Sequence, residues 1–320
     1  MTAATTDPRF VIVAGKGGVG KSTMCAALGL LSARAGARTL IVEFNANQKA
    51  PALFGKVSAD YEIQELEPNL YSLAIQAEPA LHEYALRKVR FERVYQTIFQ
   101  HEAVKRLLAM IPGMNELLLL GKAFDLERER KHGEPVWDRI IIDSPATGHG
   151  VSLLRLPSAI LGVIERGPMA DEVRKMQELL VDPARTAIHL VTLPEEMPVR
   201  ETLELLGQID TLLQIPKGWL FINSVWPEVL DASDAELLKL MHSTAQGVDP
   251  VVDAALARAE RMAERRRFQE AYLAELARKV QMPSVEVPYL FVPEFGRDAI
   301  HTLADHIARN MERGGRSGRS

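Results

Sequence analysis

Cysteine is almost missing from this chain: 320 residues contain one, Cys25. A single thiol excludes an intrachain disulfide framework and any Cys-x-x-Cys zinc site. Long apolar runs are missing as well, and none approaches the ~18 residues of a membrane span. Positive charge is not in excess. With 38 Lys and Arg against 42 Asp and Glu, the net charge is −4, so there is no global basic field for nucleic acid. No internal repeat occurs, and Met1 to Pro8 has no signal-peptide core. The expectation is a cytoplasmic chain with no integral membrane span and no nucleic-acid partner. What remains is ordinary: 47% hydrophobic and 25% charged residues, a soluble globular composition, at a length that suggests roughly two domains.

Within that plain background one stretch stands out. The apolar run Phe10-Val11-Ile12-Val13-Ala14 leads into Gly15-Lys16-Gly17-Gly18-Val19-Gly20-Lys21-Ser22-Thr23, and an apolar-periodic segment follows. Gly15, Gly20, Lys21 and Ser22 fit the phosphate-loop spacing G-x-x-x-x-G-K-[ST]. Glycines let backbone N–H groups turn inward around phosphate oxygens with no side chain in the way. Lys21 brings a positive charge to the β- and γ-phosphates, and the Ser22 hydroxyl is placed to hold Mg²⁺. The helix after the loop points its positive end at the anion. ATP with Mg²⁺ is the implied ligand. Lys16 sharpens the match. A second lysine just after the first glycine resembles the deviant Walker A loop of dimerising ATPases related to Min, Par, nitrogenase iron protein and the arsenite-pump ATPase. In that class the extra lysine reaches across a dimer to the partner's nucleotide; otherwise Lys16 is a solvated loop lysine.

Further along, apolar runs at Thr39–Phe44, Tyr71–Ile75, Val136–Asp143, Thr186–Leu193, Lys217–Asn223 and Val285–Leu290 read as strands. Helical patterns cover Ser22–Ala35, closed by Gly36, and Pro79–Gln100, Glu102–Met110, Pro194–Leu213, Pro227–Gln281 and Gly296–Met311. Strands alternating with helices imply a mainly parallel α/β sheet with helices on both faces. Four successive leucines, Leu117 to Leu120, cover all sides of a helical turn. They belong either to a helix packed between others or to a client-binding surface with Met110, Met114 and Phe124. Glu127–Glu134 reads as a solvated return, and the alternating charges of Arg258–Arg267 as a salt-bridged exposed face. Glu312–Ser320 reads as a disordered tail.

Asp143 ends an apolar strand, the Walker B arrangement for Mg²⁺. The segment after it narrows the resemblance. Asp143-Ser144-Pro145-Ala146-Thr147-Gly148-His149, then Leu153 to Pro157, looks like switch II of the arsenite-pump and tail-anchored-protein-targeting ATPases. Ile111–Glu116 and Val191–Thr202 are similar to further segments of that family, and the likeness spans about residues 9 to 308. It implies a P-loop core of about 9–60, 136–225 and 283–311, with a helical subdomain at about 61–135 and 226–282. By the same resemblance, Gly148 approaches the γ-phosphate, Asn223 contacts adenine, and Pro288 opens a loop over the base. His149 is either a switch sensor or a structural histidine.

Two departures matter. Where the family carries a switch I aspartate that orients the attacking water, this sequence places Asn45, and an amide takes no proton from water. Glu43 would substitute only if the strand register pointed it the same way. The pump subunits also need a cluster of thiolates for arsenite, which Cys25 alone does not supply. The expected function is therefore an ATP-hydrolysing dimeric switch that binds hydrophobic helices or a membrane-associated partner. The alternatives are a hydrolysis-impaired regulatory subunit, homodimeric or paired with a competent relative, and a Min- or Par-like positioning ATPase.

Overall fold

The run Phe10–Ala14 forms β1, with all five residues buried. In the computed structural model, which describes residues 8–44, 48–89, 113–228, 240–241 and 249–317, β1 lies at the centre of an eight-stranded sheet. Helix α1 (Lys21–Arg34) follows, then β2 (Thr39–Phe44), the short α2 (Ala50–Leu53), β3 (Gln64–Glu67), β4 (Leu70–Ile75) and α3 (Ala77–Val89). Next come α4 (Met114–Arg128), a small hairpin of β5 (Arg130–Lys131) and β6 (Glu134–Pro135), β7 (Arg139–Asp143), α5 (Thr147–Leu161) and α6 (Pro168–Val181). The chain closes with β8 (Thr186–Thr192), α7 (Glu196–Gln208) continued by a π turn, β9 (Lys217–Val225), α8 (Pro250–Lys279), β10 (Ser284–Pro288) and α9 (Arg297–Ser317).

The strand order is β10-β9-β8-β1-β7-β2-β4-β3. Every pairing is parallel except that of β3 with β4 at one edge. A parallel sheet is covered on both faces, which is why its strands are continuous apolar runs. The two-residue period of β1 sorts its side chains into two cores. Phe10, Ile12 and Ala14 meet Leu119, Phe124, Leu153, Leu179 and Leu205 on one face. Val11 and Val13 meet Met24, Leu28, Ile300 and Leu303 on the other, where α1 lies against α9. Each fully buried leucine, isoleucine or phenylalanine of this kind contributes about 2 kcal/mol by leaving water. Among the described residues no helix is long and apolar enough to cross a membrane.

Four expectations need correction. The helical subdomain expected at about 61–135 opens on strand: β3 is unexpected, and the Tyr71–Ile75 run, read as a strand, is β4 and pairs in parallel with β2 in the main sheet. Leu120 and Phe124 are each 3% exposed in the core, so they form no client surface, while Met110 lies outside the described residues. The closing helix does not stop at Met311 but runs to Ser317. The charge run from Glu127 is solvated only after its first residue. Glu127 itself is buried, accepting from Arg9 at 2.5 Å and from Arg185 at 2.8 Å. These arginines precede β1 and β8, so one carboxylate in the last turn of α4 fastens the helical layer to the base of two central strands.

Removing that carboxylate leaves two partly buried guanidinium groups facing each other. Glu127→Ala should cost on the order of 2 kcal/mol in urea unfolding, with Glu127→Gln intermediate. Equal stability of all three proteins would show that the tie is not structural.

Candidate functional site

Five connections leave the sheet at the C-terminal ends of β1, β2, β7, β8 and β9, the edge where open α/β sheets form ligand crevices. After β1 the chain turns through Gly15–Gly20. Gly15 passes so close to β8 that a Cβ would sit 2.2 Å from the Val191 carbonyl oxygen. Gly20 has φ 96°, and a Cβ there would lie 2.3 Å from Nδ2 of Asn223. Both positions need glycine because the loop is pressed between β8 and the end of β9. Val19 is buried beneath the turn, and its carbonyl accepts from Asn223 Nδ2 at 2.9 Å. Lys21 Nζ donates to the carbonyls of Gly15 (3.1 Å) and Lys16 (2.8 Å), bridging the loop from inside.

Ser22 and Thr23 lie in the first turn of α1. Parallel register sets Val13 of β1 beside Asp143 of β7, and Glu43 of β2 on the other side of Asp143. The Ser22 hydroxyl then donates to Asp143 Oδ2 at 2.5 Å. A cavity of about 470 Å³ opens there, lined by Gly17, Gly18, Lys21 and Ser22 from the loop, Glu43 and Lys49 from the β2 side, and Asp143 and Ala146 from the β7 side. A serine hydroxyl and one carboxylate side by side suit Mg²⁺, which keeps waters and phosphate oxygens as its other ligands. Burial raises Asp143 above the usual carboxylate range, against the opposing pull of the Ser22 hydrogen bond and Lys21. Burial likewise lowers Lys21, against the attraction of Asp143.

Glu43 is 4% exposed. Its Oε1 accepts from the Lys49 backbone N–H at 2.7 Å and, with Oε2, from Ala50 N–H at 3.2 Å. Burial pushes its pKa up to about 7, and those two backbone donors resist the rise. Asn45 lies outside the described residues. Gly148 is exposed in the first turn of α5, beside a smaller cavity of about 290 Å³ that it shares with Glu201 and Glu204. His149 is exposed. Pro288 ends β10 in register with Val225, two residues beyond Asn223. Trp226 stacks on Tyr289 at 5.1 Å and meets Phe291 edge-on, so an aromatic trio flanks this end of the sheet. Cys25 is fully buried in α1, and burial raises its thiol well above its ordinary value.

Two residues that sequence reasoning gave no role enter the site. Glu201 on α7 pairs with Lys16 at 2.8 Å, so within one chain the extra lysine is turned toward α7. Lys49 lines the main cavity. Both stood in segments singled out for other residues, and the signal that would have found them is three-dimensional. A larger cavity of about 590 Å³ lies between α3, α4 and α6, where Lys122 pairs with Glu83 and Arg128 with Glu172.

The sequence is similar to that of known proteins. A family model described as anion-transporting ATPase matches residues 8–167 and 165–255. The chain is 33% identical over 232 residues to the ATPase BagA of Mycobacterium tuberculosis, covering 71% of this chain and 68% of that one. It is 26% identical over 242 residues to a putative arsenical pump-driving ATPase of Aquifex aeolicus, covering 61% of this chain and 58% of the other. Against the ATPase ASNA1 homolog 1 of Paramecium tetraurelia it is 27% identical over 161 residues, covering 50% and 45%.

The raised pKa of Glu43 has a measurable consequence. The folded chain holds this proton up to about pH 7, and the unfolded chain releases it near 4.5. Stability through this group therefore falls as pH rises between those values and is flat above them. Unfolding of the nucleotide-free protein from about pH 5 to about pH 8, compared with Glu43→Gln, should show a relative loss on the order of 2 kcal/mol. Parallel pH profiles would contradict the assignment.

Proposed function

The chain belongs to the anion-transporting ATPase family, and from that premise we propose that it is a magnesium-dependent, ATP-binding switch that works as a dimer and couples its nucleotide state to a hydrophobic helix or a membrane-associated partner. One observation carries the nucleotide part: Ser22 on the glycine loop and Asp143 at the end of β7 meet at 2.5 Å, at the cavity that Lys21 also lines. Gly15, Gly17, Gly18, Val19 and Gly20 give the phosphates a backbone cradle, and Lys21 neutralises their charge. Ser22 and Asp143 would hold Mg²⁺, which would supply charge neutralisation to the phosphates. The adenine end rests near Asn223 and the loop after Pro288, where Tyr289 and Phe291 are 42% and 45% exposed and offer stacking faces.

The same cleft supports a dimer. Lys16 serves a partner's nucleotide only after leaving Glu201, so pairing of two chains and opening of that ion pair are coupled. Switch II, from Asp143 into α5, is continuous with the helical layer that holds α4; movement at Gly148 is thereby passed to that layer. Relatives of this chain carry names that refer to arsenical pumps. This chain's one thiol is buried in α1, so arsenite is not its ligand, and a helix or membrane-associated protein is the better-fitting partner.

The second reading, a nucleotide-binding subunit that hydrolyses poorly, rests on switch I. By the family resemblance Asn45 falls where the switch I aspartate would be, and Glu43 spends its oxygens on the N–H groups of Lys49 and Ala50, which leaves it poorly placed to activate water. Turnover of the unaltered chain, Lys21→Ala and Asn45→Asp separates the readings. The switch reading predicts phosphate release above that of Lys21→Ala, and a rise of ~10-fold or more when Asn45→Asp restores a carboxylate. Turnover no higher than that of Lys21→Ala would favour the regulatory subunit. An unchanged rate in Asn45→Asp would remove switch I as the cause.

A further inference from the structure

We infer that Lys49 is a third phosphate-binding cation of the nucleotide cleft, delivered by the buried carboxylate of Glu43 and directed at the terminal phosphate. The inference rests on the ATP-binding reading above and deepens it.

Lys49 belongs to none of the motifs that mark the cleft, yet it lines the same cavity as Lys21, Ser22 and Asp143. It is exposed to solvent. Its charge is felt there, since it acts electrostatically on Lys21, Glu43 and Asp143 together. Its backbone is anchored. Glu43 is nearly sealed from water, and its carboxylate receives the Lys49 N–H at 2.7 Å and the Ala50 N–H at 3.2 Å. A buried carboxylate normally costs stability unless it is hydrogen-bonded. Here its hydrogen bonds tie the chain after β2 back onto the strand end, so the lysine leaves from a fixed point.

Charge balance supplies the reason. Among the described residues that line the cavity, Glu43 and Asp143 are the carboxylates and Lys21 and Lys49 the lysines. Lys16 is engaged with Glu201. Asp143, together with whatever fraction of Glu43 is ionised, offsets Lys21 and leaves the cleft without a net positive charge to attract a polyphosphate. Lys49 adds the positive charge that the cleft otherwise lacks. The loop's own N–H groups and Lys21 surround the phosphates nearest the loop. A lysine on the opposite wall, from the segment after β2, is left to meet the phosphate that projects farthest from the loop. Glu43 is thus a positioning residue acting through Lys49.

Isothermal calorimetry with Mg·ATP and Mg·ADP tests this on the full chain, Lys49→Ala, Lys49→Arg and Lys21→Ala. Lys49 is exposed, so its variants should fold. Lys49→Ala should weaken Mg·ATP by about 10-fold and Mg·ADP by less than about 3-fold, the loss of one charge-assisted contact to the third phosphate. Lys49→Arg should keep most of the ATP preference, and Lys21→Ala should weaken both nucleotides. Equal losses for ATP and ADP in Lys49→Ala, or none, would overturn the role of Lys49 and leave nucleotide binding intact. Failure of the unaltered chain to take up either nucleotide would overturn both readings together.

Discussion

The hydrogen bond from Ser22 to Asp143 depends on the whole parallel sheet and explains why the cleft exists. Its donor comes from the first turn of α1 and its acceptor from the end of β7, residues 121 positions apart. Only the side-by-side register of β1 and β7 brings them together. That register is held by apolar side chains on both faces, because a one-residue slip would exchange the two cores and turn Asp143 to the other face. Folding energy is thus converted into the placement of two oxygens. The glycine loop has no freedom of its own, since it is pressed between the Val191 carbonyl and the Asn223 amide.

Charge is the second organising constraint. The cleft gathers two carboxylates and two lysines in a partly closed space, where burial shifts Lys21, Glu43 and Asp143 toward their neutral forms. Such opposed groups are what an anion and a divalent cation need, and they are unfavourable without one another. Outside the cleft, ion pairs tie elements together. Glu127 ties α4 to the arginines before β1 and β8, and Glu201 holds Lys16 against α7. The helical layer is therefore joined to the sheet at its base and to the phosphate loop at its mouth.

Much of this was legible beforehand, for a physical reason. Fully buried parallel strands are continuous apolar runs, so β1, β2, β8 and β9 stand out within a residue or two of where they lie, while β7 begins three residues later than its run. The phosphate loop is compact in sequence, and an aspartate that ends an apolar run marks the strand end facing it. The ion pairs were not legible, because their partners are distant in the chain: Glu127 is 118 positions from Arg9 and 58 from Arg185. A charged residue amid other charges reads as solvated, and nothing local says that one of the run turns inward. Leu120 and Phe124 failed in the opposite sense, since an all-round apolar turn does not say whether helices or a client cover it. Lys49 was hidden because its position depends on a carboxylate six residues earlier that seemed to have a chemical role of its own.

The central claim is that the turn after β1 receives a triphosphate whose metal sits between Ser22 and Asp143. A crystal structure of the chain grown with Mg²⁺ and a non-hydrolysable ATP analogue tests it most directly. The account predicts phosphates inside Gly15–Gly20 and a metal ion on the Ser22 hydroxyl, with Asp143 released from its direct hydrogen bond. A turn without phosphate, with Ser22 still donating to Asp143, would contradict it.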